Sequence, residues 1–557
     1  MATHIHRSFS GGMNLLTDDT KISDNEYGYG QNVRTRYDVI EGVQRPVNQD
    51  LENLVPGKKQ AIFSVGEILA VVSGGKLYYK LSEESFWRRV GGVQLDPDVN
   101  RVYVQSIPRS TLNYLRIADT ANEDPEVTFT RVVETPQGIV VQDGINLGYI
   151  VYQDGGVLKV VRCTEVNYTR AGQEAYIPIG TLMTFTAAKL FLIADGNKIY
   201  HSVSGRPADF AVAIESNGTP QIAVENADLV RHAVDFNEIR AILDMNNSGV
   251  LVGTDYAVYL VEFDDNKTLF GEPAFRNTKL FTAGIVNQFS MVDLLGDLGF
   301  IDYEGIKSFN SVRQISNEGR NSIFSQKISR LMESVVQNRD SSCAYLWDNY
   351  ALFSVDLIGG DHGIVVYDTL NQSYMGVDKL TIDDPEIEGG KIRIGKVKQF
   401  AQTISKDKDE LYCITVDDQI YKLYDSSEYE SSQIILKSIV PQMETSQGTI
   451  IDLSKEHKTK FVRMLVDASE IASGDQNKIT VGDSVDGGND IRKEMGAPYR
   501  VSSKMTFTLP STHSGTKISR YIEFSGPLKI IEIQTETEEM IKEISNVQSR
   551  QCQYSIN

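Results

Sequence analysis

At 557 residues, with 41% hydrophobic and 23% charged residues, the chain is too long for one ordinary core and too apolar for a disordered protein. A formal net charge of −20 repels phosphate and argues against sequence-specific nucleic-acid binding. No apolar run is long enough to cross a bilayer, and the opening MATHIHRSFSGG has neither a hydrophobic leader core nor a glycine at position 2, so no membrane span, secretory leader or myristoyl anchor is expected.

Residues 1–55 read as an N-terminal arm. Ser23-Asp24-Asn25-Glu26 has the Ser-x-x-Glu form of a capping box, which predicts a short helix over roughly 24–32 that frays at Gly28 and Gly30. Pro56-Gly57 closes the arm with a turn.

From about residue 60 the apolar period becomes two. AIFSVGEILAVVSGGKLYYKL (61–81) gives three strands, the last two joined at Gly74-Gly75, where a hairpin needs positive φ. The same alternation recurs with turns at Asp154-Gly155-Gly156, Asp195-Gly196, Thr254-Asp255, Tyr303-Glu304-Gly305, Asp348-Asn349, Gly359-Gly360 and Asp417-Asp418. Copies lie on the order of 50 residues apart, the size of a propeller blade, and about six to eight units fit between 60 and 430. A single antiparallel unit buries only one face; units arranged radially bury both. Two stacked sandwiches are the structural rival. One stretch breaks the rhythm: Ile323, Ile328, Leu331, Met332 and Val335 fall near helical spacing, which predicts a helix over 321–338. Beyond about 435 short strands and a Gly-rich tip predict a small separate sandwich. The expected fold is therefore all-β: an arm (1–55, with a short helix), a β-propeller-like domain (56–435), and a small C-terminal β-sandwich with a polar tail (436–557).

Few residues suggest chemistry. Cys163, Cys343, Cys413 and Cys552 are widely spaced and form no CxxC pair, so reduced thiols are expected and no zinc or disulfide framework. Asp483-Ser484-Val485-Asp486-Gly487-Gly488-Asn489-Asp490 loosely resembles a calcium loop but lacks the matching bidentate Glu, and reads first as a hairpin tip. It also lacks the Thr-Trp of a sialidase-type Asp-box. His4-x-His6 could ligate a metal from an extended strand, while His201, His232, His362, His457 and His513 sit in different units without triad context. The adjacent acids Asp18-Asp19, Asp383-Asp384 and Asp417-Asp418 do not face each other across a cleft, as a glycosidase requires. SGRP (204–207) lacks the Lys-Ser/Thr of a phosphate loop, and two tryptophans, Trp87 and Trp347, are few for sugar stacking. No catalytic, cofactor-binding or metal residue is assigned, and no cofactor and no enzymatic activity are expected.

A resemblance supplies what spacing does not. SFSGGMNLLTDDTKISDNEYGYGQNVRTRYDVIEGVQRP (8–46), with Phe9, Gly11-Gly12, Glu26, Asn32-Val33 and Arg45-Pro46, resembles the N-terminus of tail hub and nozzle proteins of short-tailed bacteriophages, the phage stabilisation family; Val47 stands where that family has Gly. NKIYHSVSGRPADF (197–210), LVGTDYAVYLVE (251–262) and GFIDYEGIKSF (299–309) are similar to later units of the same family. The resemblance covers about the first three fifths of the chain, and its motifs are partly turn chemistry that any propeller shares.

It implies a structural virion component, assembled in the host cytoplasm: a homo-oligomeric ring, six copies in the expected case, below the head-to-tail adaptor. Such a ring retains the genome, gives a path for DNA ejection, meets tail fibre or tail needle proteins, and lets DNA pass without reading it. The acidic balance suits that passage, on the condition that lysines and arginines do not crowd the inward wall of the closed disc. The alternatives are a glycan-binding or glycan-cleaving propeller of the tail, and a cellular propeller scaffold.

Overall fold

The computed structural model describes residues 2–15, 20, 22–81, 84–108, 137–154, 156–165, 168–170, 173–202, 207–208, 210–214, 220–222, 237–245, 249–269, 272–310, 324–332, 341–384, 387, 389–404, 409–445, 448–452, 454–468, 477–486, 492–493, 499–500, 505–510 and 513–541. The chain is all-β, as its alternation predicts, and divides into two compact units. One gathers 1–44, 370–379 and 427–557; the other comprises 45–369 and 380–426. These units do not follow boundaries at 55 and 435, because the first 44 residues pair with strands from the far end of the chain.

The larger unit is propeller-like. Among the described residues its main sheets follow in chain order. The first is Lys59–Val65, Ile68–Ser73, Lys76–Leu81 and Arg88–Arg89; the second Tyr103–Pro108, Gln137–Gln142, Tyr149–Asp154 and Val157–Arg162. The third is Leu182–Phe185, Phe191–Asp195 and Lys198–His201, and the fourth Ile239–Asp244, Val250–Thr254, Val258–Leu269 and Glu272–Phe281. The fifth is Met291–Asp293, Leu298–Asp302 and Gly305–Ser308, and the sixth Cys343–Trp347, Tyr350–Leu357 and Asp361–Asp368. The seventh combines Val397–Ile404, Asp409–Thr415 and Ile420–Lys422 with Val47–Asn48 from the start of the unit. Seven sheets fall within the expected range. The predicted turns join their strands: Gly74 and Gly75 take φ of 53° and 70°, and Asp348 and Asn349 take 46° and 67°, the primed geometry that matches strand twist.

Packing runs around a circle. Shared apolar clusters join the first sheet to the second (Val72, Val141), the second to the third (Ile150, Ile193), the third to the fourth (Leu192, Val252) and the fourth to the fifth (Leu251, Phe300). The Cys343 Sγ and the Ser354 Oγ both donate to the Val397 carbonyl, tying the sixth sheet to the seventh. The circle closes where Ile62, Leu69 and Val71 of the first sheet meet Tyr412, Ile414 and Ile420 of the seventh, all at most 1% exposed. Burying an aliphatic side chain this fully contributes about 1.5–3 kcal/mol.

Glutamine amides bond backbone groups of the neighbouring sheet or of the loop leading to it. Gln399 Nε2 donates to the Ile62 carbonyl at 2.9 Å while its Oε1 accepts from the Ile62 N–H at 3.4 Å. Gln288 does the same to both backbone groups of Ile242, each at 2.8 Å, and Gln142 holds the Pro178 carbonyl and the Gly180 N–H. A primary amide carries the donor and acceptor of a peptide group, so Gln399 and Gln288 each pair with one backbone residue as a strand neighbour would.

The smaller unit is the sandwich. One sheet orders Val33–Arg36, Val39–Gly42, Lys529–Ile541, Lys455–Asp467 and Met505–Pro510, with Ala2–His6 also pairing to Lys529–Ile541. The other places Ser373–Asp378, Glu26–Gln31, Ser432–Leu436, Ile518–Ser525 and Lys478–Val485 side by side. The helix expected over 24–32 is corrected to a turn and a strand. Half of the capping box does form, since Glu26 Oε2 accepts from the Ser23 N–H at 3.0 Å, but Glu26 N–H closes a turn on the Ser23 carbonyl. Tyr27 is fully buried and donates to the Met375 carbonyl, so tertiary pairing outweighs the local helical option. The helix expected over 321–338 is corrected too: its described part, 324–332, holds one 3-10 turn at Gln326–Ile328, followed by a bridge from Met332 to Leu357.

Ser373–Asp378 is held by buried polar contacts. Arg34 makes a paired donation to Asp378 at 2.9 and 2.6 Å, with the carboxylate 1% exposed. Asn32, at φ 54°, accepts from the Lys379 N–H and donates to the Ser431 carbonyl. Gly12, at φ 70°, lies so close to the Tyr374 carbonyl that any Cβ would collide with it.

Two outcomes follow from these contacts. Gln399→Leu keeps the volume but orphans both buried backbone groups of Ile62, and should cost about 1–3 kcal/mol; hydrogen exchange at Ile62 and Phe63 reads it, with unchanged protection as the contrary result. Asp378→Ala strands a buried guanidinium and should cost about 3–5 kcal/mol in the sandwich unit, visible as a lowered denaturation midpoint.

Candidate functional site

The residues flagged in the sequence scatter. Asp483 is not a loop ligand but lies mid-strand with no exposed surface, its carboxylate 3.0 Å from Arg520 Nε and 3.0 Å from His513 Nδ1. Asp486 accepts from the Lys517 N–H, and 487–490 lie outside the described residues. Asp383 pairs with Arg45 at 2.8 Å, and Asp418 accepts from the Lys59 N–H at 2.9 Å. Asp18-Asp19, His232, Cys552 and most of SGRP fall outside the described residues. His201 Nδ1 sits 2.9 Å from the Ser202 carbonyl, and His362 Nε2 2.9 Å from the Ile394 carbonyl. Trp87 is buried and donates to the Gln49 carbonyl, while Trp347 stacks on Tyr424 at 5.2 Å. Burial pushes the Cys163 and Cys343 thiols up to about 12, which keeps both protonated and unreactive.

The structure does bring His4 and His6 together with a histidine from the far end of the sequence. A cavity of about 480 Å³ in the sandwich unit is lined by His4, His6, Thr20, Asp24, Lys437 and His457 among others. Pairing of Ala2–His6 with Lys529–Ile541 places both N-terminal histidines there, and Lys455–Asp467 delivers His457. The His4 and His457 rings meet edge to face at 6.0 Å. His6 Nδ1 lies 3.3 Å from the Asp24 carbonyl, and the Asp24 carboxylate accepts from Lys437 Nζ at 2.8 Å. Among the described residues no three His, Cys, Asp or Glu side chains converge closely enough to hold a metal.

The site therefore titrates more readily than it ligates. Burial pushes all three histidines below the usual value near 6.5; at His4 the charges of His457 and His6 add to it, while the Asp24 carbonyl opposes the shift at His6. The folded rings resist protons that unfolded histidine takes near pH 6.5. Their contribution is present above that pH and is lost as pH falls through the lowered folded values. Amides of Ala2–His6 should exchange faster at pH 5 than at pH 7.5, after correction for intrinsic rates. A His4→Gln/His6→Gln/His457→Gln variant should flatten that difference, and equal protection at both pH values in the parent chain would refute the assignment.

The second concentration of charge sits at the N-terminal ends of the propeller's innermost strands. Ser342, just before Cys343–Trp347, receives Arg101 and Asn287 on its carbonyl at 3.4 and 2.9 Å and Lys396 on its hydroxyl at 3.2 Å. Side chains preceding the second, fifth and seventh sheets thus reach one residue of the sixth. The Arg101 guanidinium also lies 4.5 Å from the centre of the Phe289 ring. These strand ends carry Lys59, Arg101, Lys396 and Lys398, all buried. Sequence reasoning missed them because they are spread over about 340 positions and become neighbours only when the circle closes.

No family model and no curated protein matches the chain. Among solved structures, one titled "Crystal Structure of Mitotic Checkpoint Complex" is similar at 9% identity and a TM-score of 0.30, covering 69% of this chain and 93% of that one. An S. cerevisiae structure, a dbp5 variant bound to nup159, a gle1 variant, ip6 and adp, is similar at 11% identity and a TM-score of 0.25, covering 76% and 95%. Likeness at this level carries no argument about function.

Proposed function

We propose that the chain is a structural subunit of a short-tailed phage tail, a hub or nozzle that forms a ring below the head-to-tail adaptor, retains the genome and bounds its exit path. The observation that carries this reading is what the resembling residues do. Phe9 is 1% exposed and Val33 is fully buried. Gly12 occupies a position no side chain fits, Glu26 accepts from Asn14 and Ser23, and Asn32 ties Lys379 to Ser431. Arg45 carries the contact to Asp383. Phe9, Gly12, Glu26, Asn32 and Val33 form the polar and apolar kernel that builds the N-terminal segment into a sheet, so the matched spacing at these positions answers a structural demand.

The circular packing of the propeller supports a rigid wall element, since shared apolar clusters join the seventh sheet through the first to the fifth. In this reading the passage lies between copies of the chain, where the −20 charge per copy weakens adhesion of the duplex.

Native mass spectrometry of the pure chain, alone and mixed with the adaptor of its particle, tests the proposal. A closed ring in either setting is the expected result. A strict monomer in both, together with absence of the chain from purified virions, overturns it.

A further inference from the structure

The cavity at the N-terminal histidines carries a charge imbalance. It holds about 480 Å³ and is lined by His4, His6 and His457 together with Asp24, Lys437 and Glu539. Both of these carboxylates already have a cation. Asp24 accepts from Lys437 Nζ at 2.8 Å, and Glu539 accepts from Lys455 Nζ at 3.3 Å. Lysines and carboxylates therefore cancel in pairs. The three imidazoles are left without a counter-ion of their own when they take up protons.

Two of the rings also have nitrogens to spare. His4 Nε2 and His457 Nδ1 are buried and have no hydrogen-bond partner among the described residues. His457 is 2% exposed, and its ring meets that of His4 edge to face at 6.0 Å. The third ring is engaged, with His6 Nδ1 3.3 Å from the Asp24 carbonyl. A buried polar nitrogen without a partner is costly, and here two belong to adjoining rings on one polar cavity. In an imidazolium both nitrogens donate, so protonation leaves two N–H groups there in need of an acceptor.

We infer that this cavity binds a small, doubly charged oxyanion, held by His4 Nε2 and His457 Nδ1. The anion gives both nitrogens the acceptor they lack, and it supplies the negative charge that the Lys437–Asp24 and Lys455–Glu539 pairs do not leave over. In its absence burial holds all three rings below their ordinary value. His457, His6 and Lys437 add to this at His4, Lys437 at His6 and Lys455 at His457, while Asp24 and Glu539 act the other way. A bound anion opposes the lowering, so binding takes up protons and tightens as pH falls. The assignment is independent of the ring reading, because every residue of the cavity belongs to the sandwich unit of a single chain.

Sulfate and oxalate are the probes, a tetrahedral oxyanion and a planar carboxylate whose charges stay nearly constant above pH 5.5. Hydrogen exchange of the Ala2–His6 amides is followed in the full-length chain at pH 5.5 and pH 8, with ionic strength held constant by sodium chloride. At pH 5.5 an anion at ten times its Kd should slow exchange about tenfold, and at pH 8 the same concentration should have little effect. The anion that protects more identifies the ligand as of the phosphate or of the carboxylate type. Protection by neither, or equal protection by chloride, overturns the inference. Sulfate also stabilises folded chains without binding a site, so the protection must be lost in His4→Gln/His457→Gln; its persistence there, or at pH 8, sinks the proposal. Calorimetry of the wild-type chain at pH 6, in two buffers of different ionisation enthalpy, gives the second readout. Proton uptake on binding is expected, and binding without it is the contrary result.

Discussion

The propeller unit depends on a pairing of very few residues. Val47–Asn48 adds antiparallel to Ile420–Lys422, so the first strand of the unit completes its last sheet. Each sheet in the circle has two faces to cover, and coverage is complete only if the last sheet also reaches the first. The pairing supplies the topological link, while the apolar contact of Ile62 and Leu69 with Tyr412 and Ile414 supplies the larger share of the energy. Gln399 adds a directional link between them by hydrogen-bonding both backbone groups of Ile62.

A related logic governs the sandwich unit, which is assembled from three separated stretches of chain. Alternation alone leaves its register open, because a strand slipped by two residues still turns its apolar side chains to the same face. The buried Arg34–Asp378 pair and the bridges from Asn32 are directional and tolerate one alignment. Their net energy is modest after desolvation, and registry is the role that fits their burial. The N-terminal segment is therefore part of the fold: the arm read over 1–55 contributes Ala2–His6, Val33–Arg36 and Val39–Gly42 as paired strands.

Charge is distributed against the overall balance. The chain is acidic, but the strand ends that meet inside the propeller circle are cationic and partly spanned by the Arg101–Ser342 contact. The proposed ring function places the path of DNA between subunits.

Much of the local structure is legible in the residues, and its limits are too. Period-two alternation locates the strands, and Gly74-Gly75 and Asp348-Asn349 locate hairpins whose positive φ few other residues supply. The capping-box signal is half realised, since Glu26 does reach the Ser23 N–H, but the direction the chain takes next is set by Tyr27 entering a distant sheet. The histidine cavity is half visible, as His4-x-His6, and the third ring comes from position 457. By itself the sequence determined that this protein is all-β, built from hairpins repeated at blade spacing, because strand periodicity and turn stereochemistry act over a few residues. Tertiary structure alone decided which strands close the circle, which N-terminal residues join the sandwich, and that Arg101, Asn287 and Lys396 meet at Ser342. Those outcomes depend on contacts between residues hundreds of positions apart, where the free energy comes from burying shared surface and carries no short-range signature.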